Sequence, residues 1–538
     1  MLPLSLGTLL LASLSTRPAS DTVPLYTDLG SHHRAISTRV TKAQQYFDQG
    51  LRLVYGFNHG EAIRAFNEAA RLDPNCAMCY WGTAYAYGPH VNAGMDSASG
   101  VAAYAAAQQA LAHLTHARPV EQALIRAVAK RYAAVPPADR AALDSAYARA
   151  MADVVKQFPN DLDAAALYAE ALMDLRPWNY WKPEDGTPYP GTETIVAQLE
   201  RVLATNPSHP GACHYYIHAV EAVAPEKAVP CAERLAALMP GVGHMVHMPG
   251  HIYIRVGRYA DAIEANVHAV HTDEVYIEGQ KPQGVYPLGY YPHNYHFLSF
   301  AATLAGRSAQ AIDAAKKTAA TTPYDVAKQV PILEPFVIYA FLTYVTFGRW
   351  EELLALPLPP AELAYSRGMV QYARGVAFAA TGRWGEAQAA LDTVKQIGAA
   401  STQGYTAAGW VTPGTNLQIA AHVLAGEIAA RQGQLDEAIA HFREGMKLED
   451  GLLYFEPPDW YYPIRHSLGA VLLKAGRAAD AEQAYREDLK RFPENGWALF
   501  GLAQALRAQG KHAEAAQTDA RFRTAWQGAD VTLVASRF

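Results

Sequence analysis

Charge is scarce in this chain of 538 residues: Asp, Glu, Lys and Arg make up 18% of it, against 50% hydrophobic residues. A typical globular domain carries roughly 25% charge, so the deficit predicts helices that bury more than one face around a large core. The length exceeds one ordinary core and calls for several domains or a repeat array. No block of Lys and Arg stands beside aromatics and the net charge is −6, which argues against nucleic acid and against anionic membrane as partners. Four cysteines are too few for a disulfide scaffold. No run reaches the ~18 unbroken apolar residues of a membrane span. The motifs HExxH, HxxEH and GxSxG, a P-loop, and a GxGxxG in strand-turn-helix context are all missing, which excludes the familiar zinc proteases and the usual α/β enzymes.

The apolar stretch from Leu2 to Leu14 is too short to cross a bilayer and has the length of a signal-peptide core, although no Lys or Arg precedes it. Residues 1–20 are therefore expected to be a signal peptide or an N-terminal anchor, placing the body outside the cytoplasm, in the periplasm or secreted. A cytoplasmic location follows if the run is not a signal. Cys76 and Cys79, in NCAMCYWG, form a CxxC that fits a disulfide, a redox pair, half of a soft metal site, or two small core residues.

What the chain has in quantity is a repeat. In AQQYFDQGLRLVYGFNHGEAIRAFNEAARLDP, Gly50, Ala62, Phe66, Ala69 and Pro74 take the small, small, aromatic, small and proline positions of a helix-turn-helix unit of about 34 residues. The phase returns around Gly250, Gly257, Ala262 and Ala269, around Gly375, Gly382 and Ala387, around Gly426, Gly433, Ala438 and Phe442, and around Gly469, Gly476, Ala481, Tyr485 and Pro493. Small residues let antiparallel helices approach, the aromatic fills the gap to the next unit, and the proline ends the second helix. Strand signals are lacking. The expected fold is all-α: a right-handed superhelical solenoid of helical hairpins, interrupted by Pro- and aromatic-rich loops at 176–193, 278–294, 404–416 and 452–463. We divide it into an N-terminal extension (21–40), N-terminal and central repeats (41–300), C-terminal repeats (301–525) and a tail (526–538).

These repeat residues resemble the tetratricopeptide repeat superfamily across most of residues 41–525. More narrowly, GFNHGEAIRAF, CAMCYWG, HPGACHYYIHAVE, HMPGHIYIRVGRY, YPLGYYPHNYHF and EPPDWYYP resemble a bacterial group of long tetratricopeptide proteins of expected export and no established activity. The resemblance implies the fold, and by default a concave surface that grips peptides. A concentration of histidine in the first helix of a repeat is not typical of the superfamily.

Ten of the 20 histidines lie between residues 209 and 296. HYYIHAVE places His214, His218 and Glu221 at i, i+4 and i+7 on one helix face, and HMVHMPGH supplies His244, His247 and His251. Such spacings let one helix offer two imidazoles to one ion, and neighbouring first helices, about 10 Å apart, allow a second helix to complete the site. The candidate ligands are His214, His218, His244, His247, His251, His293 and His296, with Cys76, Cys79 and His59 as further donors. Pro249 either kinks its helix or begins it, leaving His244 and His247 on the preceding loop. Glu221 is a ligand, a carboxylate that fixes an imidazole tautomer, or the general base of a catalytic site. Tyr215, Trp178 and Tyr291 stand for an aromatic wall around a small organic ligand. His90 and Asn92 cap helices or line the same pocket.

The donors suit copper or zinc, with iron accommodated. The reading is an extracytoplasmic repeat solenoid with a histidine-rich transition-metal site in an aromatic-lined cavity, acting as a metal-dependent oxidoreductase or hydrolase on a small molecule. The alternative is a scaffold that binds a peptide or protein, its histidines only packing.

Overall fold

Gly50 and Phe66 show how one hairpin closes. A side chain built at Gly50 would lie 2.6 Å from the Phe66 ring, and one at Gly82 only 2.4 Å from it. Phe66, on His59–Leu72, thus fills the space left by glycines on Thr41–Tyr55 and Ala77–Ala86, and no part of it meets solvent. The helix His59–Leu72 begins where the Asn58 side chain accepts from the Glu61 N–H and ends at Asp73, before Pro74. The same device recurs later, where a side chain built at Gly469 or Gly501 would lie 2.3 or 2.2 Å from the Tyr485 ring.

The structure, a computed structural model, describes residues 23–282, 284–401 and 413–538. The apolar run at the N-terminus and most of the 404–416 segment lie outside the described residues. Among those described, regular structure is helical throughout, with two isolated bridges, His90 to Ala93 and Trp181 to Pro188. The architecture is the all-α array of hairpins expected. No described helix is long and apolar enough to cross a membrane.

Packing divides the chain into two units, residues 1–252 with 268–287, and residues 253–267 with 288–538. The division falls inside the central repeats. In the first unit, Thr41–Tyr55 pairs with His59–Leu72, Ala77–Ala86 with Ser97–Ala112, Leu162–Met173 with Thr192–Thr205, and Pro210–Val220 with Val229–Leu238. The extension before Thr41 is tied to this unit by Arg34, which donates to Asp161 and Asp163 at 2.7 to 3.1 Å.

The second unit runs through Tyr291–Leu304 and Ser308–Ala320, Glu334–Thr346 and Trp350–Ala355, Ala364–Ala380 and Trp384–Ala400, Pro413–Arg431 and Leu435–Asp450, Ile464–Lys474 and Ala478–Arg491, and Gly496–Ala508 and His512–Ala525. Each hairpin packs on the next. Gly257 belongs to a turn at φ +78°, where a Cβ would strike the Pro493 carbonyl at 2.6 Å. Two of the interrupting segments are loops, 176–193 and 452–463. The third is largely helical: Tyr259–Gln280 extends into it, Tyr286–Tyr290 forms a wide helical turn, and Tyr291–Leu304 starts within it.

Candidate metal centre

Pro210–Val220 is buried at every one of its positions, as expected for a helix with apolar residues on all sides. Pro210 opens it, and the His209 ring caps it by accepting from the Ala212 N–H through Nδ1 at 3.1 Å. One turn apart on this helix stand His214 and His218, and Glu221 follows at its C-cap. His244 and His247 lie on a separate helical turn, Gly243–His247, and not on a loop. Pro249, which has no N–H to donate, starts Pro249–Arg255, the helix that carries His251. Either geometry foreseen for Pro249 brings His247 and His251 together, and the structure does so.

Hydrogen bonds fix the orientation of three of these rings. The Nδ1 of His214 lies 2.6 Å from the main-chain oxygen of Tyr55, which can only accept, so the ring carries its proton on Nδ1. Glu221 spans two more rings: its Oε1 is 3.0 Å from Nδ1 of His218 and its Oε2 is 2.6 Å from Nδ1 of His251. All three imidazoles therefore turn an Nε2 lone pair away from the group that holds them. The Nε2 atoms of His214 and His244 are 3.1 Å apart, and those of His247 and His251 are 2.9 Å apart. One ligand nitrogen from each of His214, His218 and His244 falls within 4.8 Å of the others, all three residues being buried. The Nε2 of His218 meets no hydrogen-bond partner.

Electrostatics favour the neutral, ligating form of His214 and His218. Burial, reinforced by His218, holds His214 well below the ordinary imidazole range, and burial lowers His218 against the opposing pull of Glu221. Burial pushes Glu221 up, but His251 and His218 outweigh it and leave the carboxyl ionised, at about 2. None of Glu221 is exposed.

Aromatic rings wall this cluster. Phe57, in the left-handed region at φ 56°, lies 4.4 Å from the His214 ring and stacks on His90 at 4.6 Å. Trp178 reaches in from the 176–193 loop, 4.8 Å from His218, with its indole N–H donated to Asn92. Trp181 of the same loop donates to the Ala219 carbonyl at 2.7 Å, so this loop covers the histidine helix. Tyr215 is buried beside His214.

Three of the other expected residues, Cys76, Cys79 and His59, belong to none of these groups. Cys76 and Cys79 are joined in a disulfide at the start of Ala77–Ala86. A disulfide sulfur is not a thiolate, which corrects their candidacy as ligands. His59 packs on His90, 4.3 Å between ring centres, and belongs to none of the groups able to hold an ion; burial lowers it to about 4. His293, His296 and Tyr291 belong to the second unit. There His296 is buried 4.1 Å from the Tyr339 ring, lowered by burial to about 3, and Tyr291 packs on Tyr295.

The sequence did not reveal the polar group behind the site. Asp163 Oδ1 accepts from the Tyr55 hydroxyl at 2.6 Å and from His32 at 2.9 Å, and lies 3.3 Å from Nε2 of His209, while Arg34 donates to Oδ2. Burial raises Asp163, but His209, His32 and Arg34 together hold it well below the carboxylate range. An aspartate in the first turn of Leu162–Met173 looks like ordinary helix chemistry, and no local pattern points to partners 108 to 131 residues away.

Residues 467–530 match the family model of the tetratricopeptide repeat, and that segment carries the repeat of this superfamily. Among solved structures it is similar to a human IFIT1 dimer with m7Gppp-AAAA, at 12% identity over 92% of this chain and 91% of that one, with a TM-score of 0.31. A monomeric IFIT1 mutant with Gppp-AAAA gives 12% identity over 90% and 91%, with a TM-score of 0.32. No match was found among the curated proteins.

Proposed function

We propose that the first unit holds a transition-metal ion on the Nε2 atoms of His214, His218 and His244, with His247 and His251 alongside and Glu221 as the carboxylate that positions two of the rings. One observation carries this reading: fixed acceptors occupy Nδ1 of three buried imidazoles, so their Nε2 lone pairs point inward. Carboxylates and carbonyls behind metal-bound histidines do the same work. The spacing supports it, since two nitrogens ~2.0–2.1 Å from one ion at angles of 90–110° stand about 2.9–3.4 Å apart, as the Nε2 pairs at 2.9 and 3.1 Å do. A fully buried carboxylate also calls for a positive charge nearby.

Neutral imidazoles without a thiolate suit zinc or copper, and accommodate iron. Such an ion supplies Lewis-acid or redox chemistry. The chain's own residues hold the rings in one tautomer, and Phe57 and Trp178 shield them from water. On this basis we read the protein as a metal-dependent oxidoreductase or hydrolase acting on a small molecule, exported if its N-terminal run is a signal. The test is the metal content of untagged full-length protein, with zinc and copper titrations of protein stripped by chelator. We expect one or two ions per chain, lost in His218→Ala. Metal-free protein that takes up neither ion would overturn the reading and leave a peptide- or protein-binding scaffold.

A further inference from the structure

The second unit contains a groove lined by the first helix of each of its hairpins, from Thr303 on Tyr291–Leu304 to Trp497 on Gly496–Ala508. The chain itself occupies this groove. After His512–Ala525 the backbone crosses to Ser308–Ala320, where Asp530 accepts from the N–H groups of Ser308 and Ala309 at 2.6 and 2.9 Å. Residues 531–538 then continue without helix or strand and insert three successive side chains. Ser536 donates to the His466 carbonyl and pairs with the Tyr485 hydroxyl, both at 2.7 Å. Both guanidinium nitrogens of Arg537 bind the Glu427 carboxylate, with Ser467 at 3.3 Å. Phe538 meets the Trp497 ring edge-on at 5.7 Å, and its main-chain oxygen accepts from Arg431 at 3.1 Å.

This pattern is one of recognition: side chains read in order, held by a bidentate charge pair at a buried acid. Glu427 is 2% exposed, and a carboxylate so placed needs cation partners, which Arg537 supplies together with Arg431, 3.6 Å away on the same helix. We propose that the groove is a binding site for an extended segment offering hydroxyl, guanidinium and aromatic groups at consecutive positions, and that residues 536–538 occupy it in cis. A partner peptide of that chemistry enters only by displacing them. A short tether gives the resident segment an effective concentration of order millimolar, so competition in trans is weak while the tail is intact.

The test uses the full chain and a labelled peptide of sequence Thr-Leu-Val-Ala-Ser-Arg-Phe, followed by fluorescence anisotropy. The double substitution Arg537→Ala with Phe538→Ala should bind it roughly tenfold or more tighter than the unsubstituted chain. Adding Glu427→Gln should abolish that gain. Absence of binding by a double variant with unchanged helix content, or binding that survives Glu427→Gln, would overturn the proposal. If the double variant fails to fold, hydrogen exchange on the unsubstituted chain decides: residues 531–538 should be protected, and millimolar peptide should accelerate their exchange. No protection, or no response to peptide, would also overturn it.

Discussion

The imidazole of His214 is held by the main-chain carbonyl of Tyr55, a residue 159 positions earlier in the chain, at 2.6 Å. The same tyrosine sends its hydroxyl to Asp163. The central histidine of the proposed centre is thus oriented by the first repeat hairpin, and the site exists only when that hairpin and Pro210–Val220 are docked.

Metal binding should therefore stabilise the folded first unit. An ion that binds the assembled site and not the unfolded chain adds about 2.7 kcal/mol at a free concentration one hundred times its Kd. Scanning calorimetry of metal-loaded protein, with and without chelator, should show a transition that falls by several degrees when the ion is removed and returns on adding it back. An unchanged transition in protein shown to have lost its metal would remove the histidine cluster from the structural core of the site.

Glu221→Gln tests the carboxylate directly. Glu221 accepts Nδ1 protons from both His218 and His251. A glutamine offers one oxygen and turns its NH2 towards the other ring, so one imidazole must move its proton to Nε2 and lose the lone pair that faces the ion. The expected result is a 10- to 100-fold loss of metal affinity with helix content retained, measured by competition with a chelator. A ligand role would abolish binding outright, and a general-base role would spare affinity and remove turnover.

Much of this arrangement was legible in the chain. Gly50 with Phe66, and Gly469 with Tyr485, follow from a repeat whose small and aromatic positions are fixed by helix contact. His214 and His218 follow from helical spacing alone. The Tyr55 carbonyl is invisible in any sequence because every residue carries one. Asp163 sits where helices ordinarily place acids, and Trp178 reaches the site only because its loop folds back at φ 62°. His293 and His296 share the helical spacing of the others, yet packing assigns them to the second unit, a choice made by contacts that local pattern does not encode.

Gly469→Ala should damage folding and leave the metal centre alone. Its new methyl would fall 2.3 Å from the Tyr485 ring, which Gly501 confines from the other side. Overpacking of this kind costs about 1–3 kcal/mol. Urea unfolding of the variant should show the loss, with metal content per folded chain unchanged, because the site lies in the other unit.

The second unit also carries an acid whose burial works against it. Burial raises Glu449 from 4.5 to about 7, while Arg491 and Arg465 pull it back. Between those values the unfolded chain releases this proton and the folded chain keeps it, so the folded state binds more protons and stability falls as pH rises from about 4.5 to 7. Above the folded value the loss is complete and constant. Glu449→Gln keeps an oxygen to accept from the Ile464 N–H, at 3.3 Å in the parent, and carries no ionisable proton. The variant should be more stable than the parent at pH 8, by an amount of order 1–3 kcal/mol, and the two should converge near pH 5. Urea titrations followed by tryptophan fluorescence at both pH values measure the difference. Parallel stability curves for parent and variant across this range would show that Glu449 does not carry the destabilisation.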